Sequence, residues 1–260
     1  MRKKYQGKWV AEQKSVSNDL LSSRSSFSTR EAYKVLRTNV SFSFTDEESC
    51  RVIMLTSPLQ GEGKSITAVN LAISYAMADC RTIIVDCDMR RPRLGRLLQQ
   101  TSKLGLSNLL LQPQRRAEAV MPTRIKNLDV LLSGDIPPNP SELLASGRMQ
   151  RLLDDLRQEY DCVILDAPPV NLVTDALVLA PKVDGVLVLV RANHSVRQEV
   201  IRAMDQLRYV KARILGFVLN DVDLENRSYM KKGYGKKYYT YGSPVDREEE
   251  VEAEASVGAK

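Results

Sequence analysis

The chain carries a single histidine, His194. A Ser-His-Asp triad, a multi-histidine metal site or a Cys-His nucleophile would each have to be built from it, which sets those chemistries aside. His194 itself reads as a loop residue with no chemical role. Cysteine is equally sparse: Cys50, Cys80, Cys87 and Cys162 are scattered, with no C-x-x-C pair. That argues against a zinc site or a disulfide framework and fits a reducing cytosol. Long apolar runs are missing too. Stretches such as Val186 to Val190 fall far short of the roughly 20 residues a membrane span needs. The basic start, Met1-Arg2-Lys3-Lys4, is followed by no apolar h-region, so no secretory signal is expected. There is no internal repeat.

What is present suits one α/β core. The 260 residues are 43% hydrophobic and 27% charged, ordinary for a globular protein. A net charge of +6 and a pI near 9.1 favour contact with phosphates, nucleic acid or an anionic membrane face.

Residues 1–28 are polar and Ser-rich toward Ser28, and read as a mobile arm. From Thr29 to Phe44, Ala32, Val35, Leu36 and Val40 recur at helical spacing, with Ser28 or Thr29 as cap. Short β-branched runs then alternate with amphipathic stretches. Strands are predicted at Val52 to Thr56, Thr82 to Asp86, Leu128 to Leu132, Cys162 to Asp166, Val186 to Val190 and Ile214 to Leu219. Helices are predicted at Lys64 to Met77, Ser141 to Glu159, Val173 to Ala180 and Val196 to Leu207. Asn139-Pro140-Ser141-Glu142 reads as a helix start. This alternation implies a mostly parallel, doubly wound sheet with helices on both faces. The domain is expected over 29–226 and a tail over 227–260. In the tail, Tyr229, Tyr234, Tyr238, Tyr239 and Tyr241 are interleaved with lysines and glycines, and an acidic run from Asp246 to Glu254 follows. Such a composition cannot bury enough apolar surface to fold alone.

Ser57-Pro58-Leu59-Gln60-Gly61-Glu62-Gly63-Lys64-Ser65 links a predicted strand to a predicted helix, the context that makes a Gly-Lys-Ser match a phosphate loop. Gly61 and Gly63 let backbone N–H groups turn toward a common centre, and the helix from Lys64 aims its positive end there. Lys64 suits the β- and γ-phosphates, and the Ser65 hydroxyl suits magnesium. Pro58 stands where the usual first glycine would, so the motif is a variant. Asp86 and Asp88, at the end of a buried strand, need a cation or donors, and magnesium is the natural partner. Asp166 ends a third apolar strand in the Walker B manner.

Together, Ser-Pro-x-x-Gly-Glu-Gly-Lys-Ser, Asp-x-Asp-x-Arg and Asp-Ala-Pro-Pro resemble the bacterial tyrosine kinases. The closest resemblance is to the stand-alone cytoplasmic type that accompanies capsule and exopolysaccharide synthesis in Gram-positive bacteria. It runs from about Arg30 to the tyrosine tail and implies a P-loop NTPase fold of the MinD-like type. It further implies an ATP- and Mg2+-dependent protein-tyrosine kinase acting in trans on the tail tyrosines, thereby regulating polysaccharide synthesis, chain length or export. By the same resemblance Gly61, Glu62, Gly63, Lys64, Ser65 and Ile66 hold ATP, and Ser65, Asp88 and Asp166 hold magnesium. Asp86 is the base for the incoming hydroxyl. Deprotonating tyrosine in advance would cost roughly 8 kcal/mol, from six pKa units, so Asp86 is expected to orient the hydroxyl and accept its proton late. Asn220 sits where related ATPases contact adenine, and also suits a plain turn. Glu31, Lys34 and Arg37 match an E-x-x-R-x-x-R helix of ring assembly, with Lys34 in place of an arginine; a surface helix with i, i+3 charge pairs is the other reading. The implied partners are a transmembrane activator or polysaccharide co-polymerase at the inner membrane face, other copies in a ring that dissociates on phosphorylation, protein tyrosine substrates and a cognate tyrosine phosphatase.

The rival is a MinD- or ParA-like ATPase of positioning or partitioning. Those proteins carry a second lysine five residues before the loop lysine, where this chain has Leu59. MinD-like proteins end in a basic membrane helix, whereas the run Asp246 to Glu254 would be repelled by an anionic surface. Arg90, Arg91, Arg93 and Arg96 suggest DNA at first sight, but Arg90 belongs to the kinase-type motif and no nucleic-acid partner is expected.

Overall fold

The computed structural model describes residues 20–44 and 50–222. The tyrosines from 229 to 241 and the acidic run lie outside the described residues, as do residues 1–19.

Seven strands form one sheet: β1 (Arg51–Thr56), β2 (Thr82–Asp86), β3 (Val120–Pro122), β4 (Leu128–Leu131), β5 (Cys162–Asp166), β6 (Gly185–Arg191) and β7 (Ile214–Asn220). Their order is β3-β4-β2-β5-β1-β6-β7, and every pairing is parallel except β3 with β4. The doubly wound parallel sheet expected from the alternation is present. The edge strand β3 was not anticipated: three residues ending in proline are too few to show a period.

Central strands read as continuous apolar runs because both their faces are covered. Val52, Met54, Val85, Val163 and Leu165 face one layer, while Ile53, Leu55, Ile84 and Ile164 face the other. Helices α1 (Phe27–Phe42), α2 (Lys64–Ala76) and α3 (Leu94–Leu98) cover the second face. The first is covered by α4 (Leu106–Leu111), α5 (Arg116–Ala119), α6 (Pro140–Ala145), α7 (Gly147–Glu159), α8 (Asp175–Leu179) and α9 (Arg197–Tyr209).

Local chemistry moves several predicted boundaries. Helix α1 begins two residues earlier than expected because Ser26, not Ser28 or Thr29, accepts the Thr29 N–H. Leu21, within the stretch read as an arm, is buried and its N–H is bonded to Asn70 at 2.8 Å, so residues from 20 onward belong to the domain. The helix expected over Ser141 to Glu159 is two helices. They break at Ser146, whose backbone is extended and whose hydroxyl donates to the Leu143 carbonyl at 2.7 Å. Asn139 precedes Pro140 as foreseen, but its side chain bonds the Glu142 carboxylate at 2.9 Å rather than a helical N–H.

Candidate active site

The strand order places β5 between β1 and β2, so the loop after β1 and the ends of β2 and β5 meet at one edge. Asp86 and Asp166 are register partners, and Leu55, just before the loop, is opposite Asp166 on the other side. Open α/β sheets bind ligands at this edge, where strand order reverses.

The loop 57–63 is pinned on both flanks. Thr56 Oγ1 donates to the Pro168 carbonyl at 2.7 Å, and Val170 N–H donates to the Ser57 carbonyl at 2.9 Å. On the other flank, Ser195 Oγ donates to the buried carboxylate of Glu62, whose second oxygen accepts the Leu59 N–H at 3.2 Å. Asn220 Nδ2 donates to the Glu62 carbonyl at 3.0 Å. Gly61 and Gly63 have φ of +83° and +89°, the left-handed region that favours glycine. At Gly63 space is limiting as well, since a Cβ would lie 1.9 Å from Asn220 Nδ2. Ser195 and Arg191, whose guanidinium reaches the Gly61 carbonyl at 3.4 Å, were not singled out from sequence. Nothing local marks them, as they meet the loop from more than a hundred residues away.

Lys64 Nζ lies 3.0 Å from Asp88 and 3.4 Å from Asp166, so the three groups share one site. Burial pushes the ammonium pKa down, but Asp166 and Asp88 outweigh it and the net shift is upward. Burial raises the Asp166 carboxyl, opposed by Lys64 and by the Ser65 hydroxyl. Asp86 is fully buried, and burial, reinforced by Asp166, lifts its pKa to about 8 against the pull of the Leu94 amide and Lys64. Its carboxylate accepts three amides: Asp88 N–H at 3.2 Å on one oxygen, and Arg93 and Leu94 N–H at 3.2 and 3.1 Å on the other. Asp86 therefore shapes the loop that carries Asp88. Strand β2 ends at Asp86, so Asp88 is carried by the turn that follows.

Two features fit a magnesium nucleotide. Asp166 Oδ2 is buried without a hydrogen-bond partner, a costly arrangement that a cation would relieve. The site also offers the Asp88 and Asp166 carboxylates side by side around Lys64, and Mg2+ takes one or two carboxylates alongside waters and phosphate oxygens. A cavity of about 270 Å³ opens here, lined by Gly61, Gly63, Lys64, Ser65, Ile66 and Asp88, with Arg91 and Arg93 at its side. A larger hollow of about 420 Å³ along α9, lined by Ile201, Arg202 and Tyr209, has no comparable cluster of acids around a lysine.

The remaining predicted residues lie apart. Arg90 forks onto the buried Asp175 at 2.9 and 3.0 Å, a partner the sequence did not reveal because it is 85 positions away. Glu31 and Lys34 pair at 2.6 Å on the exposed side of α1. Arg37 turns inward and donates to the Ser74 carbonyl near the end of α2.

Fold and site together define a P-loop nucleotide-binding enzyme. Residues 50–215 match the AAA domain family. The putative tyrosine-protein kinase CapB of Staphylococcus aureus is 36% identical over 213 residues, 82% of this chain and 90% of that protein. The kinase domain of the Escherichia coli tyrosine kinase ETK superposes with a TM-score of 0.71 at 32% identity, covering 74% of this chain and 75% of that one. The septum site-determining protein MinD of Pyrococcus horikoshii, solved with Mg-ADP, gives a TM-score of 0.58 at 20% identity, covering 68% and 73%, a likeness of fold alone. The chain belongs to the bacterial tyrosine-protein kinases. Among the described residues, no helix is long and apolar enough to cross a membrane.

Proposed function

We propose that this kinase transfers the γ-phosphoryl group of Mg-ATP to the hydroxyls of Tyr229, Tyr234, Tyr238, Tyr239 and Tyr241 on a neighbouring copy. The observation that carries the reading is the meeting of Lys64, Ser65, Asp86, Asp88 and Asp166 at one edge of the sheet.

The amides of Gly61 to Ser65 and the start of α2 bind phosphate, and Ile66 packs beside them. Lys64 turns its ammonium from Asp88 and Asp166 toward phosphate oxygens, and those acids with Ser65 would hold the cation. Magnesium, when bound, neutralises charge on the transferred group and orients it. Glu62 contributes its backbone N–H, its carboxylate being spent on Leu59 and Ser195. Asn220 keeps the adenine role through Oδ1, since Nδ2 is committed to Glu62.

Asp86 orients the phenol and takes its proton. Three of about four acceptor positions on a carboxylate are filled by amides, which leaves one for the hydroxyl. Burial, reinforced by Asp166, also raises the Asp86 carboxyl, which brings it closer to tyrosine and favours a late proton transfer in a loose transition state.

Phosphorylating five tyrosines adds roughly −7.5 to −10 charges. In this proposal that charge dissolves a ring assembled through Glu31 and Lys34 on α1. Arg37 supports the helix from within by its bond to Ser74. A transmembrane co-polymerase recruits and activates the kinase at the inner membrane face, a cognate phosphatase resets it, and the cycle tunes capsular or exopolysaccharide output. The proposed units are an N-terminal segment over 1–19, the kinase domain over 20–226 and the tyrosine-rich and acidic segment over 227–260.

The test mixes the active chain with a Lys64→Met copy as acceptor under Mg-ATP, with and without a membrane fraction, followed by phosphopeptide mapping and a phosphate-release assay. Phosphotyrosine on residues 229–241 of the Lys64→Met copy is expected. Phosphate release without any phosphotyrosine would return the chain to the partitioning-ATPase reading.

A further inference from the structure

Arg90, Arg91, Arg93 and Arg96 fall within seven positions after β2, and all four are exposed. Asp175 neutralises Arg90. Arg91 donates to the neutral amide of Gln60 at 3.0 Å and keeps its full charge. Arg93 uses only its backbone N–H, toward Asp86, and its side chain has no hydrogen bond or ion pair among the described residues. Arg91 and Arg93 line the same cavity as Lys64, Ser65 and Asp88. Among the described residues, the mouth of the site thus carries two cations without an ion-pair partner, each exposed and able to meet a charged chain arriving from solvent.

The acceptor segment is a poor match for such a rim. Lys231, Lys232, Lys236 and Lys237 lie among its tyrosines, and like charges repel. The opposite sign follows immediately: Asp246, Glu248, Glu249, Glu250, Glu252 and Glu254, against a single Arg247. We infer that Arg91 and Arg93 dock the acidic run 246–254 of a second copy, so holding its tyrosines at the nucleotide site. This deepens the kinase reading and rests on it. The spacing agrees. Five positions separate Tyr241 from Asp246 and seventeen separate Tyr229 from it. At about 3.4 Å per residue these spans reach about 17 and about 58 Å when extended. An acidic anchor at the rim therefore lets the nearest and the farthest tyrosine enter the same cavity in turn. Attraction at the anchor offsets the repulsion that the lysines would otherwise impose.

The test uses synthetic peptides, which need no folding. The enzyme is the full chain with its five tail tyrosines changed to Phe and its five acidic-run glutamates changed to Gln, so only the peptide carries the glutamates of the anchor. Peptide 229–254 is compared with the same peptide carrying Glu→Gln at 248, 249, 250, 252 and 254. The expected result is a KM about tenfold higher for the neutralised peptide at low salt, with kcat unchanged, and a difference that closes in about 0.5 M salt. Equal KM values, with both peptides phosphorylated, overturn the docking surface and leave the kinase reading intact. No phosphorylation of either peptide, with none on the native tail, overturns both. A charge swap adds a second arm. Arg91→Glu/Arg93→Glu enzyme should prefer a Glu→Lys peptide over the native one. If that enzyme instead loses Mg-ATP binding in a fluorescent-nucleotide titration, the arginines serve the nucleotide and the docking assignment fails.

Discussion

Replacing Asp86 by asparagine probes the most unusual group in the site. The side chain is fully buried and its pKa is lifted to about 8, first by burial and then by Asp166. In the unfolded chain the same carboxyl titrates near 3.9. A raised carboxyl holds its proton in the folded state while the unfolded chain releases it. Its stabilising contribution is therefore complete below about pH 4 and is lost as pH rises toward 8. An asparagine side chain cannot ionise, so the Asp86→Asn variant escapes this loss. The substitution has its own cost. Both carboxylate oxygens accept amides, and an Nδ2 in either place leaves at least one of the Asp88, Arg93 or Leu94 N–H groups unsatisfied. One buried orphan costs about 1–3 kcal/mol, independent of pH. The variant should thus be less stable than wild type near pH 4 to 5 and gain on it with a slope of at most about 1.4 kcal/mol per pH unit. Between about pH 5 and pH 8 the relative gain amounts to up to about 4 kcal/mol, and above the folded pKa it levels off. Urea denaturation of both proteins in EDTA, across this range, reads the difference directly. A stability difference that stays constant with pH would show that Asp86 ionises normally, and the argument for a base narrowed toward tyrosine would go with it.

Arg90→Ala leaves the Asp175 carboxylate buried and unpaired. A loss of about 2–3 kcal/mol is expected, below the full cost of a broken buried pair because Arg90 is partly in water. Arg90→Lys should recover part of it, lacking only the fork, and thermal or urea unfolding checks both. Gly63→Ala places a methyl 1.9 Å from Asn220 Nδ2 at a φ of +89°, so the loop or Asn220 must move. Mg-ATP affinity should fall at least tenfold while unfolding stability drops by only about 1–2 kcal/mol; unchanged nucleotide binding in a titration would refute the clamp.

Much of this protein is legible along the chain for physical reasons. Buried parallel strands must be apolar on both faces, so β2 and β5 stand out with the bounds they have in the structure. The phosphate loop is legible because its glycines, lysine and serine are consecutive. Short elements are less so. Helix α3, strand β3 and the break at Ser146 span too few residues for a period to register.

The order of residues by itself determined which groups can do the chemistry: a loop that turns its amides inward, a lysine, and acids that close apolar strands. Folding decided what those groups feel. Only the strand order β2-β5-β1 sets Asp86 beside Asp166, and burial, reinforced by neighbouring carboxylates, lifts their carboxyls. Likewise Asp175 finds Arg90, and Ser195, Arg191 and Asn220 grip the loop, across long stretches of chain. Desolvation and ion pairing depend on distance in space, which a linear sequence does not carry.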